Sequence, residues 1–299
     1  MNSKITIAGV EFKNPVMTAS GTFGSGREYG EYMDLNQLGA VVVKGVAITP
    51  WKGNPAPRIA ETYGGMLNSV GLQNPGVEAF IENDIPFLRQ YDTKIIVNIA
   101  GRTIEEYCQV AERLGEVDVD LLELNISCPN VKEGGVAFGT DPFMVEKVTK
   151  EVKKYSKQPL IVKLSPNVTD ITEMARAAES GGSDGLSLIN TLLGMAIDIY
   201  RRKPVLAMKV GGFSGPAIKP VALRMVYQVN KAVNLPIIGM GGIMTGEDAI
   251  EFIMAGATGV AVGTAHFNNP RASLEVVEGI QKYMDTYGVK DLAEIRGII

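Results

Sequence analysis

The sequence predicts an α/β fold, a single (β/α)8 TIM barrel spanning 1–299, with long insertions after strands 2 and 6,. Three observations predict it. About eight short apolar runs end in small or polar residues, capped helical segments separate several of them, and the length suits one closed barrel with no domain boundary,.

The runs occupy 15–20, 40–45, 94–100, 121–127, 159–165, 185–190, 236–242 and 259–265. Most are rich in Val and Ile, the pattern of strands covered on both faces. Asp141-Pro142 places a cap before a first-turn proline, and the helix continues through 143–155,. Asp170, with Glu173 three residues on, resembles a capping box, and Gly181 and Gly182 close that helix,. Thr245 with Asp248 opens another, which Gly256 ends, and Asn269-Pro270 starts the last, 271–287. Strand and helix in alternation imply parallel pairing through right-handed crossovers. Ahead of the first strand, 5–12 reads as a hairpin that could plug the barrel bottom. Two connections, 46–93 and 191–235, exceed simple βα units, and long connections in compact domains usually carry function,.

Composition narrows the function. Hydrophobic residues make up 45% of the chain and charged residues 21%, enough to bury a large core,. A net charge of −4 argues against a nucleic acid or an anionic membrane as partner,. No apolar run is long enough to cross a bilayer and no signal peptide is readable, so a cytoplasmic location is expected. The cysteines are Cys108 and Cys128 and the sole histidine is His266, so neither a four-thiolate cluster nor a multi-histidine metal site is expected,.

Barrel enzymes build their sites where the strands finish. Lys44-Gly45 ends the second strand, Asn98 sits late in the third, and Asn125 leads into Ser127, Cys128 and Pro129 after the fourth. Lys163 sits late in the fifth, and Asn190-Thr191 ends the sixth. Each alone reads as a solvated lysine or a turn-forming asparagine. Together they place amides and ammoniums at one mouth, where a planar heterocycle rich in carbonyl and N–H groups would partner them. Gly241-Gly242 after strand seven and Gly263-Thr264 after strand eight stand where barrels bind phosphate, although glycines there also make tight turns,. This pattern does not separate a phosphorylated sugar from FMN. Cys108 lies on a helical pattern and reads as packing, whereas Cys128 follows a strand end and is the reactive candidate, as base or as nucleophile,.

Five segments carry a resemblance: 19–24 (ASGTFG), 68–75 (NSVGLQNP), 125–132 (NISCPNVK), 190–197 (NTLLGMAI) and 213–217 (FSGPA). They resemble dihydroorotate dehydrogenase, in particular its class 1B catalytic subunit, over nearly the whole chain. The resemblance implies oxidation of (S)-dihydroorotate to orotate in pyrimidine (UMP) biosynthesis, with hydride passing to FMN. Cys128 would be the base. Lys44, Asn68, Ser69, Val70, Gly71, Leu72, Asn125, Asn190 and Thr191 would hold the substrate, with Lys44 near its carboxylate. Ser20, Lys44, Gly45, Asn98, Asn125, Lys163, Ile189, Gly215, Gly241, Gly242, Gly263 and Thr264 would hold FMN, with Lys163 stabilising negative charge on the reduced ring. Class 1B also implies a partner subunit carrying FAD and a 2Fe-2S cluster, a heterotetramer, and NAD as final acceptor. The chain agrees with a separate NAD-binding subunit, because no dinucleotide fingerprint opens a helix after a strand,. Besides a non-catalytic barrel that is mainly a scaffold for a partner, three other readings are kept. One is a class 1A enzyme that passes electrons to fumarate, and another is a different FMN-dependent pyrimidine oxidoreductase. The third is a flavin-free phosphate-dependent isomerase or lyase on the same fold.

Overall fold

A computed structural model describes residues 2–126, 132–133 and 136–299. Eight parallel strands close into a barrel: β1 (Val16–Thr18), β2 (Ala40–Val42), β3 (Lys94–Ile99), β4 (Leu121–Asn125), β5 (Leu160–Lys163), β6 (Gly185–Leu188), β7 (Ile237–Met240) and β8 (Gly259–Val262). Each lies inside one of the eight apolar runs. The barrel closes by pairing β8 with β1, Ala261 opposite Met17.

Side chains alternate across each strand. Val41, Val97, Leu124 and Val162 face the helices and join the larger core. Met17, Val42, Ile96, Leu121, Ile161, Ile238 and Ala261 point inward and form a second apolar layer with Ile5, Ile7 and Phe12. Those three belong to the antiparallel hairpin Ile5–Ile7 and Val10–Phe12, paired Ile5 to Phe12. The hairpin therefore stoppers the barrel at the end away from the strand C-termini. Gly259 leaves room for it: a Cβ there would lie 3.2 Å from both Ile5 and Ile7.

Helices surround the barrel. Thr103 caps Ile104–Leu114 by accepting from the Glu106 N–H, and Asp141 caps Pro142–Tyr155 by accepting from Phe143,. Thr245 and Asp248 make the reciprocal capping box that opens Gly246–Met254,. Asp170 caps Ile171–Ser180 through the Thr172 N–H alone, and no bond back from Glu173 is observed among the described residues. The last long helix is Ala272–Tyr287, one residue shorter than expected at its start. The first crossover differs more. Between β1 and β2 there is no α-helix, only the 3-10 turns Tyr29–Glu31 and Leu35–Gln37. No helix among the described residues is long and apolar enough to cross a membrane.

The segment between β2 and β3 contributes strands Ile59–Thr62 and Gly65–Asn68, and the segment after β6 contributes Leu192–Met195 and Val210–Ser214. These four form one antiparallel sheet, joined across the two segments by Gly212 opposite Asn68 and Phe213 opposite Leu67. The sheet stands at the C-terminal ends of the barrel strands, and its inner residues wall the cavity described next.

Candidate active site

The barrel mouth and this sheet enclose a cavity of about 480 Å³, within the range of small-molecule and cofactor sites. Every described site residue predicted from the sequence lines it. Ser20, Lys44, Gly45, Asn98, Asn125, Lys163, Ile189, Asn190 and Thr191 come from the ends of β1 to β6. Asn68, Ser69, Val70, Gly71 and Leu72 come from the sheet and the loop after it, and Gly215, Gly241, Gly242, Gly263 and Thr264 form the opposite rim. Cys128, like Ser127 and Pro129, lies outside the described residues.

The floor of the cavity is polar and buried. Lys163 is only 5% exposed, and its Nζ lies 3.3 Å from Ser20 Oγ and 3.9 Å from Glu123 Oε2. Asn98 donates its amide to Glu123 and accepts from the Asn125 amide at 3.2 Å. Asn125 is fixed from behind, where the buried Tyr107 hydroxyl donates to its carbonyl at 2.7 Å. Gly45 makes room for this amide chain, since a Cβ there would sit 2.9 Å from Asn98 Oδ1.

The strip 68–72 is held from both sides. Asn54 donates to the Ser69 carbonyl at 3.0 Å, and Asn74 donates to the Leu72 carbonyl at 2.8 Å while accepting from the Ala47 N–H in the segment after β2. Gly71 and Leu72 both adopt positive φ, +78° and +53°. The second is costly for leucine, and the Asn74 bond to its carbonyl helps to hold it. Ser69 Oγ is buried without a hydrogen-bond partner among the described residues, an orphan that a ligand group in the cavity would satisfy.

The far rim is a backbone cradle. Gly241 and Gly242 have φ of +125° and +81°. A Cβ on Gly242 would meet the Lys219 backbone nitrogen at 2.8 Å and the Gly215 carbonyl at 2.9 Å. The turn after β7 therefore packs against the chain that enters helix Lys219–Ala232. Thr264 donates to Ser214 at 2.8 Å, tying the turn after β8 to the end of the second insertion. Glycine N–H groups and helix starts converging in this way suit a phosphate. Both glycine turns lie at the C-terminal rim, the same end as the lysines. A dianionic tail at the cradle and a carbonyl-rich ring over Lys163, Asn98 and Asn125 fit FMN, so the donor set matches that group.

His266 supports the cradle from behind. Its Nδ1 lies 3.1 Å from the Gly263 carbonyl and its Nε2 2.7 Å from Ser273 Oγ, and its ring packs on Phe23 and Tyr29. Burial pushes its pKa down to about 4. The unfolded chain therefore binds a proton between about pH 6.5 and 4 that the folded chain refuses, so stability rises with pH across that window,. The full shift is worth on the order of 3 kcal/mol. The expected result is a denaturant midpoint that falls as the pH drops from 6.5 towards 4, and a flatter slope in His266→Gln. An equal slope in the variant would contradict it.

Sequence reasoning missed Glu123, Asn54, Asn167 and Ser214. Glu123 had a signal, an acidic residue inside an apolar strand two positions before Asn125 and so on the same inward face,. Asn167 bridges β5 and β6, donating to the Thr191 carbonyl at 3.0 Å. It had no signal, because only the fold brings those loops together.

The family model described as dihydroorotate dehydrogenase matches residues 2–284. The chain belongs to the dihydroorotate dehydrogenase family. It is 80% identical over 297 residues to the "Dihydroorotate dehydrogenase B (NAD(+)), catalytic subunit" of Alkaliphilus metalliredigens, covering 99% of this chain and 98% of that one. It is 65% identical over 299 residues to the protein of the same name from Lachnoclostridium phytofermentans, covering both in full. The solved structure of an Eimeria tenella dihydroorotate dehydrogenase, in complex with ferulenol, superposes with a TM-score of 0.81 at 23% identity, covering 99% of this chain and 88% of the other. That likeness bears on the barrel fold. In this dihydroorotate dehydrogenase family member Cys108 does not line the cavity. It is buried on helix Ile104–Leu114, and desolvation together with nearby glutamates pushes its pKa up to about 11,.

Proposed function

We propose that the chain is the catalytic subunit of an NAD-dependent dihydroorotate dehydrogenase, oxidising (S)-dihydroorotate to orotate for pyrimidine biosynthesis. One observation carries the reading: two lysines, three asparagine amides and a glycine cradle, drawn from seven strand ends, meet around one cavity. The relatives' shared name supports the same activity.

FMN, when bound, supplies a two-electron acceptor. Gly215, Gly241, Gly242, Gly263 and Thr264 would hold its phosphate, and Ser20, Gly45, Asn98, Lys163 and Ile189 its ring. Lys44, at the end of β2, would face the substrate carboxylate, while Asn68, Asn125, Asn190 and Thr191 orient the substrate ring through its carbonyl and N–H groups. The strip Ser69 to Leu72 closes over it and excludes water. Cys128 takes the proton from the carbon beside a ring carbonyl, and the neighbouring carbon gives up hydride, so the C–C single bond becomes the double bond of orotate. Lys163, whose ammonium lines the cavity, would favour negative charge on a ring bound there, a stabilisation greater in the product-like state than in the ground state.

Electrons then leave through a partner subunit, with FAD and a 2Fe-2S cluster, to NAD, in a cytoplasmic heterotetramer. The exposed apolar side chains Met195, Ile197 and Ile199 on and beside the four-stranded sheet support a protein partner there,.

The test is to purify the chain, record its visible spectrum, and add dihydroorotate without oxygen. A yellow protein that bleaches supports the reading, and a colourless protein that never takes up FMN overturns it. Adding NAD and fumarate with and without the co-purified partner then identifies the acceptor. Lys163→Ala is expected to bind FMN roughly tenfold or more weakly, or to slow reduction. Normal cofactor content and rate would remove Lys163 from this role.

A further inference from the structure

Glu123 is the one acidic side chain among the described residues in the polar floor of the barrel. It is 1% exposed and does not itself line the cavity. It lies directly beneath the groups that do. Its Oε1 accepts from Ser187 Oγ at 2.7 Å, and its Oε2 accepts from the Asn98 amide and lies 3.9 Å from Lys163 Nζ. A carboxylate buried this deeply is tolerated only with such partners. The arrangement has two consequences. An acceptor-only carboxylate forces Asn98 to present its nitrogen downward, which turns Asn98 Oδ1 towards Asn125,. A negative charge beside Lys163 also offsets part of the ammonium's field in the cavity above.

We propose that Glu123 is a positioning residue, a fixed counter-charge beneath the flavin that orients Asn98 and limits how strongly Lys163 favours the reduced cofactor. The inference rests on the FMN reading above. The charged groups facing the cavity among the described residues are Lys44 and Lys163, and Glu123 lies beneath the second of them. Adding two electrons and one proton to the oxidised ring leaves it with one extra negative charge. The carboxylate disfavours that charge and the ammonium favours it.

The test is the midpoint potential of the bound flavin, measured by reductive titration with dithionite against a reference dye. Glu123→Gln keeps the volume and both hydrogen bonds, because the glutamine oxygen still accepts from Asn98 and the Ser187 hydroxyl can turn to accept. A structural role alone would leave the potential unmoved. The expected result is an upward shift equivalent to about a tenfold gain in preference for reduced over oxidised flavin, about 30 mV for a two-electron couple. In a Lys163→Met background the same change should be smaller, since part of the effect runs through the lysine. A potential that stays put or falls in Glu123→Gln with flavin bound overturns the inference.

Should Glu123→Gln fail to fold, the natural holoprotein labelled with carboxyl-13C glutamate gives an independent reading. Its reduced-minus-oxidised infrared difference spectrum should contain a glutamate carboxylate band, and the absence of that band also overturns the inference. A natural chain without flavin would defeat the FMN reading itself. A flavin-bearing chain with an unmoved Glu123→Gln potential defeats only this proposal.

Discussion

Cys128→Ala is expected to leave the protein yellow and to slow its bleaching by dihydroorotate by roughly two or more orders of magnitude, the usual loss for a general base. The role proposed for Cys128 rests on the resemblance over 125–132, and Cys128 lies outside the described residues. β4 ends at Asn125, whose carbonyl is bonded by Tyr107, and Ile126 beyond it is buried. Asn125 itself lines the cavity. No other described thiol can substitute, since Cys108 is buried among helices with its pKa raised to about 11. Stopped-flow reduction without oxygen, with the flavin content of both proteins measured first, checks the prediction. A variant that bleaches at the natural rate removes Cys128 from the chemistry while leaving the cofactor site intact.

Gly242→Ala is expected to lose FMN. At φ +81° an alanine is strained, and its Cβ would press on two backbone atoms, the Lys219 nitrogen and the Gly215 carbonyl,. Backbone cannot rotate away as a flexible side chain can. The turn after β7 and the entry to helix Lys219–Ala232 must therefore separate, and the N–H groups of the cradle no longer converge. The expected loss is roughly two orders of magnitude in FMN affinity, about two charge-assisted hydrogen bonds. Quenching of flavin fluorescence by the apoprotein measures it, with circular dichroism to show that the barrel persists. Stoichiometric flavin of natural affinity in the variant would place the phosphate elsewhere.

The barrel was legible because its strands are buried on both faces. That burial demands continuous apolar runs, and the eight runs contain β1 to β8. The caps at Thr245 and Asp141 were legible for a similar reason, since they satisfy local N–H groups from neighbouring residues. The first crossover was not legible. Residues 21–39 return to the barrel through two 3-10 turns, and Phe23, Met33, Leu35 and Leu38 are buried there without helical spacing.

The site divides along the same line. Lys44, Asn98, Asn125, Lys163, Asn190, Thr191 and the glycine turns could be read from the sequence because each finishes a strand, and parallel closure puts all strand ends on one rim. The resemblance supplied Ser20, the strip 68–72, Ile189, Gly215 and the role of Cys128. Two features belong to the tertiary structure alone. The insertions after β2 and β6 lie more than a hundred residues apart in sequence, yet Asn68 pairs with Gly212 in one sheet that walls the cavity. Glu123 meets Asn98, Lys163 and Ser187 only because barrel closure turns alternate residues of adjacent strands into one interior layer,. Patterns along a chain report local covering and local hydrogen bonding. Which buried charge faces which amide is set by register between strands, and that register exists only once the barrel has closed.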